Sequence, residues 1–309
     1  MNPARDALLL AARNRWLGEH LPRFRFVRAT VKRFMPGERI EDALDAAARL
    51  AEDGIPATFT YLGENVRNAA DADAVVRHYL RLFDLIEERG LDAEISVKPT
   101  HLGLDLDPEA TVERLRLLAE RSAALGRHLF LDMESAPYVE PTLAIYRSLR
   151  EGSERVGVCI QTYLHRTPQD VADLLAAGGS IRLVKGAYRE PRDVAIHDAG
   201  RIREAFQKLA LGFLRWGGDG RLALGTHDVE LLAGIERAAA AARFGRDAYE
   251  IQMLYGIRIA DQRRLAKEGF RVRVLISYGT HWYPWFMRRV AEHPGRNIWL
   301  AIRNLVARR

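Results

Sequence analysis

Cysteine is almost absent from this chain: of its 309 residues only Cys159 is one. No internal disulfide can form and no cysteine-based metal site can be assembled, so Cys159 reads as a small buried apolar residue. Long apolar runs are missing as well. The longest near the amino end, Ala7 to Ala12, is too short for a signal-peptide core, and nothing approaches the roughly 20 apolar residues of a membrane span. A cytoplasmic protein is expected. HxH, HExxH and carboxylate clusters at ligand spacing are lacking, so no metal centre is expected. No GxGxxG follows the first strand, so a dinucleotide, if bound, is not held in the Rossmann manner. Without a low-complexity linker or a fixed-length repeat, one domain is the simplest organisation.

What is present is ample for a core, with 48% hydrophobic residues. The net charge of +6 permits binding to nucleic acid or anionic lipid but does not demand it. Along most helical stretches, as in HYLRLFDLIEERG, arginine is interleaved with acidic residues, the pattern of a solvated face. The stretch ARNRWLGEHLPRFRFVRATVKRF is richer in arginine and is the best place for contact with acidic lipid.

Short β-rich runs alternate with amphipathic helical segments. The strand candidates are 57 to 63, 93 to 99, 128 to 134, 156 to 164, 181 to 188, 222 to 228, 249 to 256 and 272 to 277. Strict alternation implies parallel strands with right-handed crossovers, and eight units over about 250 residues suit an α/β fold of the (βα)8 barrel type. Residues 1 to about 50 read as a helical arm packed on that barrel.

In such barrels chemistry lies at the carboxyl ends of the strands. Polar residues crowd those ends here: Glu64, Lys98, Asp132 with Glu134, Gln161 with Tyr163, Arg182 with Lys185, then Thr226, His227 and Asp228, and finally Gln252. Any one of these alone is an ordinary solvated tip. In LVKGAY, Lys185 precedes Gly186 and Ala187, whose minimal side chains admit a flat ligand or a phosphate to the backbone, although a glycine there also suits a tight turn. His227 with Asp228 suits hydrogen bonding to a ligand or a neighbour. In YGTHWYPWFMRRVAEH, Pro284 suits the first turn of a helix following strand 8. Arg288 and Arg289 then reach inward from its early turns, aided by the positive helix end, and a paired guanidinium fork fits a carboxylate. The plainer alternative is a surface pair of Arg288 with Glu292 at i, i+4.

Taken in order, ISVKPTHLGL, LFLDME, VCIQTYLHR, RLVKGAY, GTHD, EIQMLYG and YGTHWYPWFMRR resemble the motif series of the proline dehydrogenases over about residues 57 to 300. The likeness extends both to the monofunctional bacterial enzymes and to the proline-oxidising domain of the bifunctional proline-utilisation proteins. The resemblance implies a distorted (βα)8 TIM-type barrel with bound FAD that oxidises L-proline to Δ1-pyrroline-5-carboxylate. It further implies electrons passing to a membrane quinone, weak peripheral contact with the inner face of the plasma membrane, and a pyrroline-5-carboxylate dehydrogenase as pathway partner.

By that resemblance Arg288 and Arg289 correspond to the pair that clamps the proline carboxylate, with Lys98 beside it and Glu64 pairing with one of the arginines. Asp132 matches an active-site aspartate near Lys98, and Tyr188 and Leu254 match residues that pack on the proline ring. Arg182 is similar to the arginine at the flavin N5 edge. Met133, Gln161, Lys185, Gly186, Ala187, Thr226, His227 and Gln252 resemble further cofactor contacts. The chain departs from the family at Asp228, often Asn; at Leu275, a tyrosine in many members; and at Trp285, usually Tyr. The last two bear on pocket shape.

Other readings predict different observations. A methylenetetrahydrofolate reductase would turn over NADH, and a basic nucleic-acid or lipid binder would be colourless and bind DNA in a salt-sensitive way. A Schiff-base aldolase using Lys98 or Lys185 would be trapped by borohydride.

Overall fold

The computed structural model describes residues 31–292, together with Ala11, Asn14 and His20. Helix α1 (Ile40–Ala51) precedes an alternating series of strands and helices. It runs β1 (Ala57–Tyr61), α2 (Ala69–Glu88), β2 (Ala93–Val97), α3 (Pro108–Ala124), β3 (Leu129–Leu131) and α4 (Val139–Arg150). There follow β4 (Val156–Gln161), α5 (Thr167–Ala176), β5 (Ser180–Val184) and α6 (Ala199–Trp216). The series closes with β6 (Leu222–Gly225), α7 (Val229–Ala241), β7 (Glu250–Leu254), α8 (Ile259–Lys267), β8 (Arg271–Tyr278) and α9 (Trp282–Glu292). All eight strands pair in parallel, and β1 closes the ring against β8. The expected (βα)8 barrel is what the chain forms. Of the expected arm, α1 is helical, whereas the arginine-rich stretch lies mostly outside the described residues.

Local signals set the helix starts. Asn68, Asp107, Asp198 and Asp228 each accept a bond from the backbone N–H three residues on, satisfying a donor that the first turn leaves open. The inner face of α2 carries Tyr79, Leu82, Phe83 and Ile86, all shielded from water between helix and barrel. Each such side chain contributes about 1.5–3 kcal/mol by burial.

The first seven strands are shorter at their carboxyl ends than the sequence suggests, because the chain bends into the rim where the polar residues begin, whereas β8 runs one residue further, to Tyr278. The backbone ladder runs on briefly beyond the strands: Asp132 N–H donates to Val97 O at 2.8 Å and Thr226 N–H to Gln252 O at 3.1 Å. Those bonds hold the rim residues although they lie outside regular strands.

Two features distort the barrel. Helix α1 packs on β1 and β8, the position that the last helix of a regular barrel would take. Helix α9 is instead apolar around Trp282, Tyr283, Trp285 and Phe286, which pack on Val31, Met35 and Leu62. It thereby crosses the mouth and touches side chains borne on opposite sides of it, Glu64 after β1 and Tyr188 after β5.

The barrel interior is charged at its amino end as well, which sequence reading did not foresee. Pairing registers align Glu94 of β2, Glu250 of β7 and Arg273 of β8 on the inner face. Arg221 bonds Glu250 at 2.6 Å and also pairs with Glu94, while Arg273 Nε reaches both Glu250 oxygens at 3.2 Å. Burial opposes ionisation of Glu250, but Arg273 and Arg221 outweigh it and lower its pKa. His128, 3.7 Å from Glu94, has its pKa pushed down to about 4 by burial and is neutral at pH 7. Phe130 caps this layer, with Arg182 stacked 4.4 Å from its ring centroid on one flank and Arg221 at 5.6 Å on another.

Candidate active site

Inward-facing residues of a strand alternate, so β2 and its extension present Glu94, Ser96 and Lys98 to the interior in succession. Lys98 leads out to the rim and donates to Glu64 Oε2 at 2.9 Å. From the far end of the chain Arg288 grips the same carboxylate with both terminal nitrogens, Nη1 to Oε1 and Nη2 to Oε2, each at 3.2 Å. Burial alone would raise the pKa of Glu64, but the Lys98 and Arg288 charges hold it well below the usual carboxylate range. Arg288 also lies 5.5 Å from the Tyr188 ring centroid, and burial pushes the Tyr188 hydroxyl well up, so it stays protonated.

Arg288 is therefore turned into the mouth and bound to Glu64; the alternative partner Glu292 has its side chain outside the described residues. It is the seventh residue of α9, so it reaches inward from the second turn and not from the first. Arg289 Nε is likewise shielded from solvent.

A pH dependence follows with a definite sign. A carboxylate whose folded pKa is depressed adds stability above its unfolded pKa of about 4.3, and that stability is lost as pH falls through this value toward the folded one. Comparing urea midpoints from about pH 7 to pH 3, Glu64→Gln is expected to be less stable than the parent at neutral pH and to converge with it in acid. A gap that stayed constant across that range would remove the charge from the argument.

Deeper in the barrel Arg182, 3% exposed, extends from β5 across the interior. Its Nη1 donates to Asp132 Oδ1 at 3.0 Å and to Ser96 Oγ at 2.9 Å, while Nε and Nη2 are buried with no hydrogen-bond partner among the described residues. Asp132 was expected near Lys98; their ion pairs run elsewhere, Lys98 to Glu64 and Asp132 to Arg182, with Ser96 also on Asp132. The reason is reach: α9 brings a second cation to Glu64, while β5 presents Arg182 below Asp132.

The remaining rim residues are each held by a hydrogen bond of their own. Gln161 Nε2 donates to Glu134 O at 2.7 Å. Gln252 Nε2 donates to Glu250 at 2.6 Å, and because an ionised carboxylate only accepts, the amide oxygen must face the other way, where it is buried without a donor. His227 Nε2 accepts from Leu254 N–H at 2.9 Å, which assigns the proton of the neutral ring to Nδ1. Thr226 Oγ1 accepts from Asp228 N–H.

The departure at Asp228 has a structural consequence. Its carboxylate takes Lys185 at 2.5 Å and Arg203 at 2.9 Å while capping α7 through Leu231 N–H. Both candidate Schiff-base lysines are thus held in ion pairs, Lys98 with Glu64 and Lys185 with Asp228. Gly186, at φ +119°, is required by its surroundings: a Cβ there would lie 2.3 Å from the Tyr163 ring. Ala187 and Leu254 are half-buried beside the mouth, and Met133 is buried behind it. Trp285 joins the apolar cluster beneath α9, so that departure alters packing there. Leu275 is half-buried on the inner face of β8, level with Thr58 and Leu254.

Sequence reading missed Ser96 and Phe130. The signal for Ser96 was available in the polar alternation of Glu94, Ser96 and Lys98 within AEISVKP.

A family model described as Proline dehydrogenase matches residues 43–296. Proline dehydrogenase 1 of Bacillus subtilis subsp. natto is 38% identical over 267 residues, which cover 86% of this chain and 88% of that one. Proline dehydrogenase of Deinococcus radiodurans is 35% identical over 280 residues, 89% of each chain. Among solved structures, proline utilization A (PutA) of Bdellovibrio bacteriovorus, inactivated by N-propargylglycine, has a TM-score of 0.81 at 22% identity. The match covers 94% of this chain and 36% of that one, and at such identity the likeness is one of fold.

Proposed function

The chain belongs to the proline dehydrogenase family, and we propose that it is an FAD-dependent enzyme oxidising L-proline to Δ1-pyrroline-5-carboxylate, the first step in degrading proline to glutamate. The reading takes residues 1–309 as one domain, with 1–50 as an arm and 57–300 as the catalytic barrel.

The observation that carries it is the convergence of Lys98 and Arg288, from distant parts of the chain, on a single carboxylate beside Tyr188. Two cations facing one acid leave positive charge uncompensated, which suits a second carboxylate, that of the substrate. Arg288, Arg289 and Lys98 would hold that group, and Tyr188 and Leu254 would pack on the proline ring. The tilt of the ring is then set by contacts at both ends, which is the positioning that loss of a hydrogen next to nitrogen requires.

The donor set also fits a flavin. The Nε and Nη2 edge of Arg182 is a parallel pair of buried donors without acceptors, and Gln252 offers a buried acceptor without a donor. An isoalloxazine carries both kinds of partner on its rim. Gly186 and Ala187 keep the wall beside Tyr163 low enough for a flat ring system, and Met133, Gln161, Lys185, Thr226 and His227 complete the set expected to hold it. When bound, FAD would supply at N5 a two-electron acceptor for the hydride lost from proline C5, with a quinone as the onward acceptor. Arg182 would offer its charge to that edge of the ring, and Asp132 holds Arg182 in turn.

The membrane quinone, peripheral contact with the inner face of the plasma membrane and a pyrroline-5-carboxylate dehydrogenase as next enzyme rest on family membership alone. Among the described residues no helix is long and apolar enough to cross a membrane.

A spectrum before and after anaerobic L-proline tests the core of the proposal. The purified protein is expected to be yellow and its oxidised flavin band to bleach on addition of proline; a colourless protein, or a flavin that proline leaves oxidised, would overturn it. Arg288→Met is expected to raise KM for proline about tenfold to a hundredfold, the scale of a lost charge-assisted bond pair, while FAD stays bound. Unchanged proline kinetics would remove the clamp.

A further inference from the structure

We propose that Ser96 is a positioning residue: its hydroxyl, bridging Asp132 and Arg182, fixes the orientation in which Arg182 presents its two unpartnered donors to the flavin. The inference rests on the reading above that a flavin binds against Arg182.

Ser96 lies on the inner face of β2, shielded from solvent, between Glu94 of the charged lower layer and Lys98 at the rim. Its Oγ carries one proton and has two acceptors in range, Asp132 Oδ1 at 2.6 Å and Phe130 O at 3.4 Å. The shorter contact, to a carboxylate, takes the proton. A lone pair is then left for Arg182 Nη1, which arrives at 2.9 Å and also reaches Asp132 Oδ1 at 3.0 Å. Oγ, Oδ1 and Nη1 close a triangle in which each atom is bonded to the other two.

A guanidinium tied to a single acceptor can swing about that contact, whereas one tied to two acceptors at an angle cannot. The Phe130 ring, 4.4 Å from Arg182 Cζ, fixes the remaining freedom by setting the plane. Together these hydrogen bonds use only one nitrogen, so the buried Nε and Nη2 edge is held in a fixed direction with no acceptor among the described residues. An arginine in solvent would lose that alignment among its rotamers. The side-chain hydrogen bonds of Ser96 run to Asp132, Phe130 O and Arg182, apart from the Glu64 and Arg288 pair, so its effect is separable from carboxylate binding.

The test uses the FAD-loaded enzyme with sulfite as probe, which adds at flavin N5 and is held more tightly where a cation lies beside that position. Ser96→Ala leaves the Arg182 to Asp132 bond in place but removes the second anchor. Sulfite affinity and kcat are each expected to fall about tenfold to a hundredfold, the range for a hydrogen bond to a charged group. KM for proline should move little and FAD should stay bound. Ser96→Thr, which keeps the hydroxyl, should restore most of both. If Ser96→Ala takes up no flavin, Ser96→Cys, of nearly the same volume but with a weak thiol, is expected to show the same loss.

Wild-type sulfite affinity and kcat in a flavin-loaded Ser96→Ala or Ser96→Cys variant, with only the melting temperature lowered, would make the serine a packing residue and overturn the inference. A parent protein that holds flavin but is not reduced by proline would overturn the substrate reading and leave the sulfite test of Ser96 standing. One that takes up no flavin would overturn both.

Discussion

Replacing Arg182 by methionine is expected to lower kcat about a hundredfold to a thousandfold, the loss found when one preorganised donor to developing charge is removed. The side chain is 3% exposed, so its charge acts in a poorly screened setting. Two of its nitrogens have no acceptor among the described residues, and a buried donor left in that state is costly unless a ligand completes it. Methionine keeps much of the volume over Phe130 and removes only the donors and the charge. KM should change less than kcat, because the carboxylate-binding cations are borne by other elements. The check is single-turnover reduction: anaerobic mixing with proline and timing of flavin bleaching. A bleaching rate equal to the parent's would take Arg182 out of the chemistry.

The second large effect concerns stability. Arg273→Met is expected to destabilise the fold by about 3–5 kcal/mol, the cost of breaking a buried ion network from one side. Arg273 is 6% exposed and binds Glu250 through Nε, with Nη1 donating to Ala57 O at 2.9 Å. Without it, Glu94 and Glu250 share Arg221 alone, two carboxylates for one cation inside the barrel. Glu250 is held ionised by Arg273 and Arg221 against the pull of burial, so removing one cation drives its pKa upward. The variant should consequently recover part of its deficit as pH falls and a carboxyl takes up a proton. Urea denaturation reads the change in midpoint at constant slope. A shift of only a few tenths of a kcal/mol, typical of exposed pairs, would mean that water reaches this layer.

The two predictions separate the parts of the barrel that could and could not be read from the chain. Arg182 announced itself: it lies inside a strand whose neighbours are apolar, followed by Lys185 and Gly186, and an arginine in such a run needs a reason. Arg273, Glu94 and Glu250 sit in equally apolar strands but at the amino ends, where solvated tips are ordinary, and nothing local says that they meet. Their convergence depends on closure of the sheet, which puts β2, β7 and β8 around one axis. The same holds at the mouth. The residues Lys98, Asp132, Glu64 and Arg288 could each be named as polar rim positions, and the motif resemblance paired Glu64 with one of the two arginines, as Arg288 does, but spacing alone carried none of the partners. Lys98 was expected beside Asp132 and went to Glu64, because the choice among nearby charges is decided by sub-ångström placement that no spacing rule carries.

By itself, then, the sequence determined the strand and helix alternation, the inward polar positions and the ordered motifs that mark the family. These are local properties: hydrophobic period, capping residues, and glycine where a side chain would collide. Tertiary structure alone decided that α1 takes the outer place beside β8 and releases α9 across the mouth, that Lys98 joins Arg288 on Glu64, and that Ser96 stands between Asp132 and Arg182. Those outcomes join residues dozens to hundreds of positions apart, and their energies come from burial and charge pairing that exist only once the ring has closed.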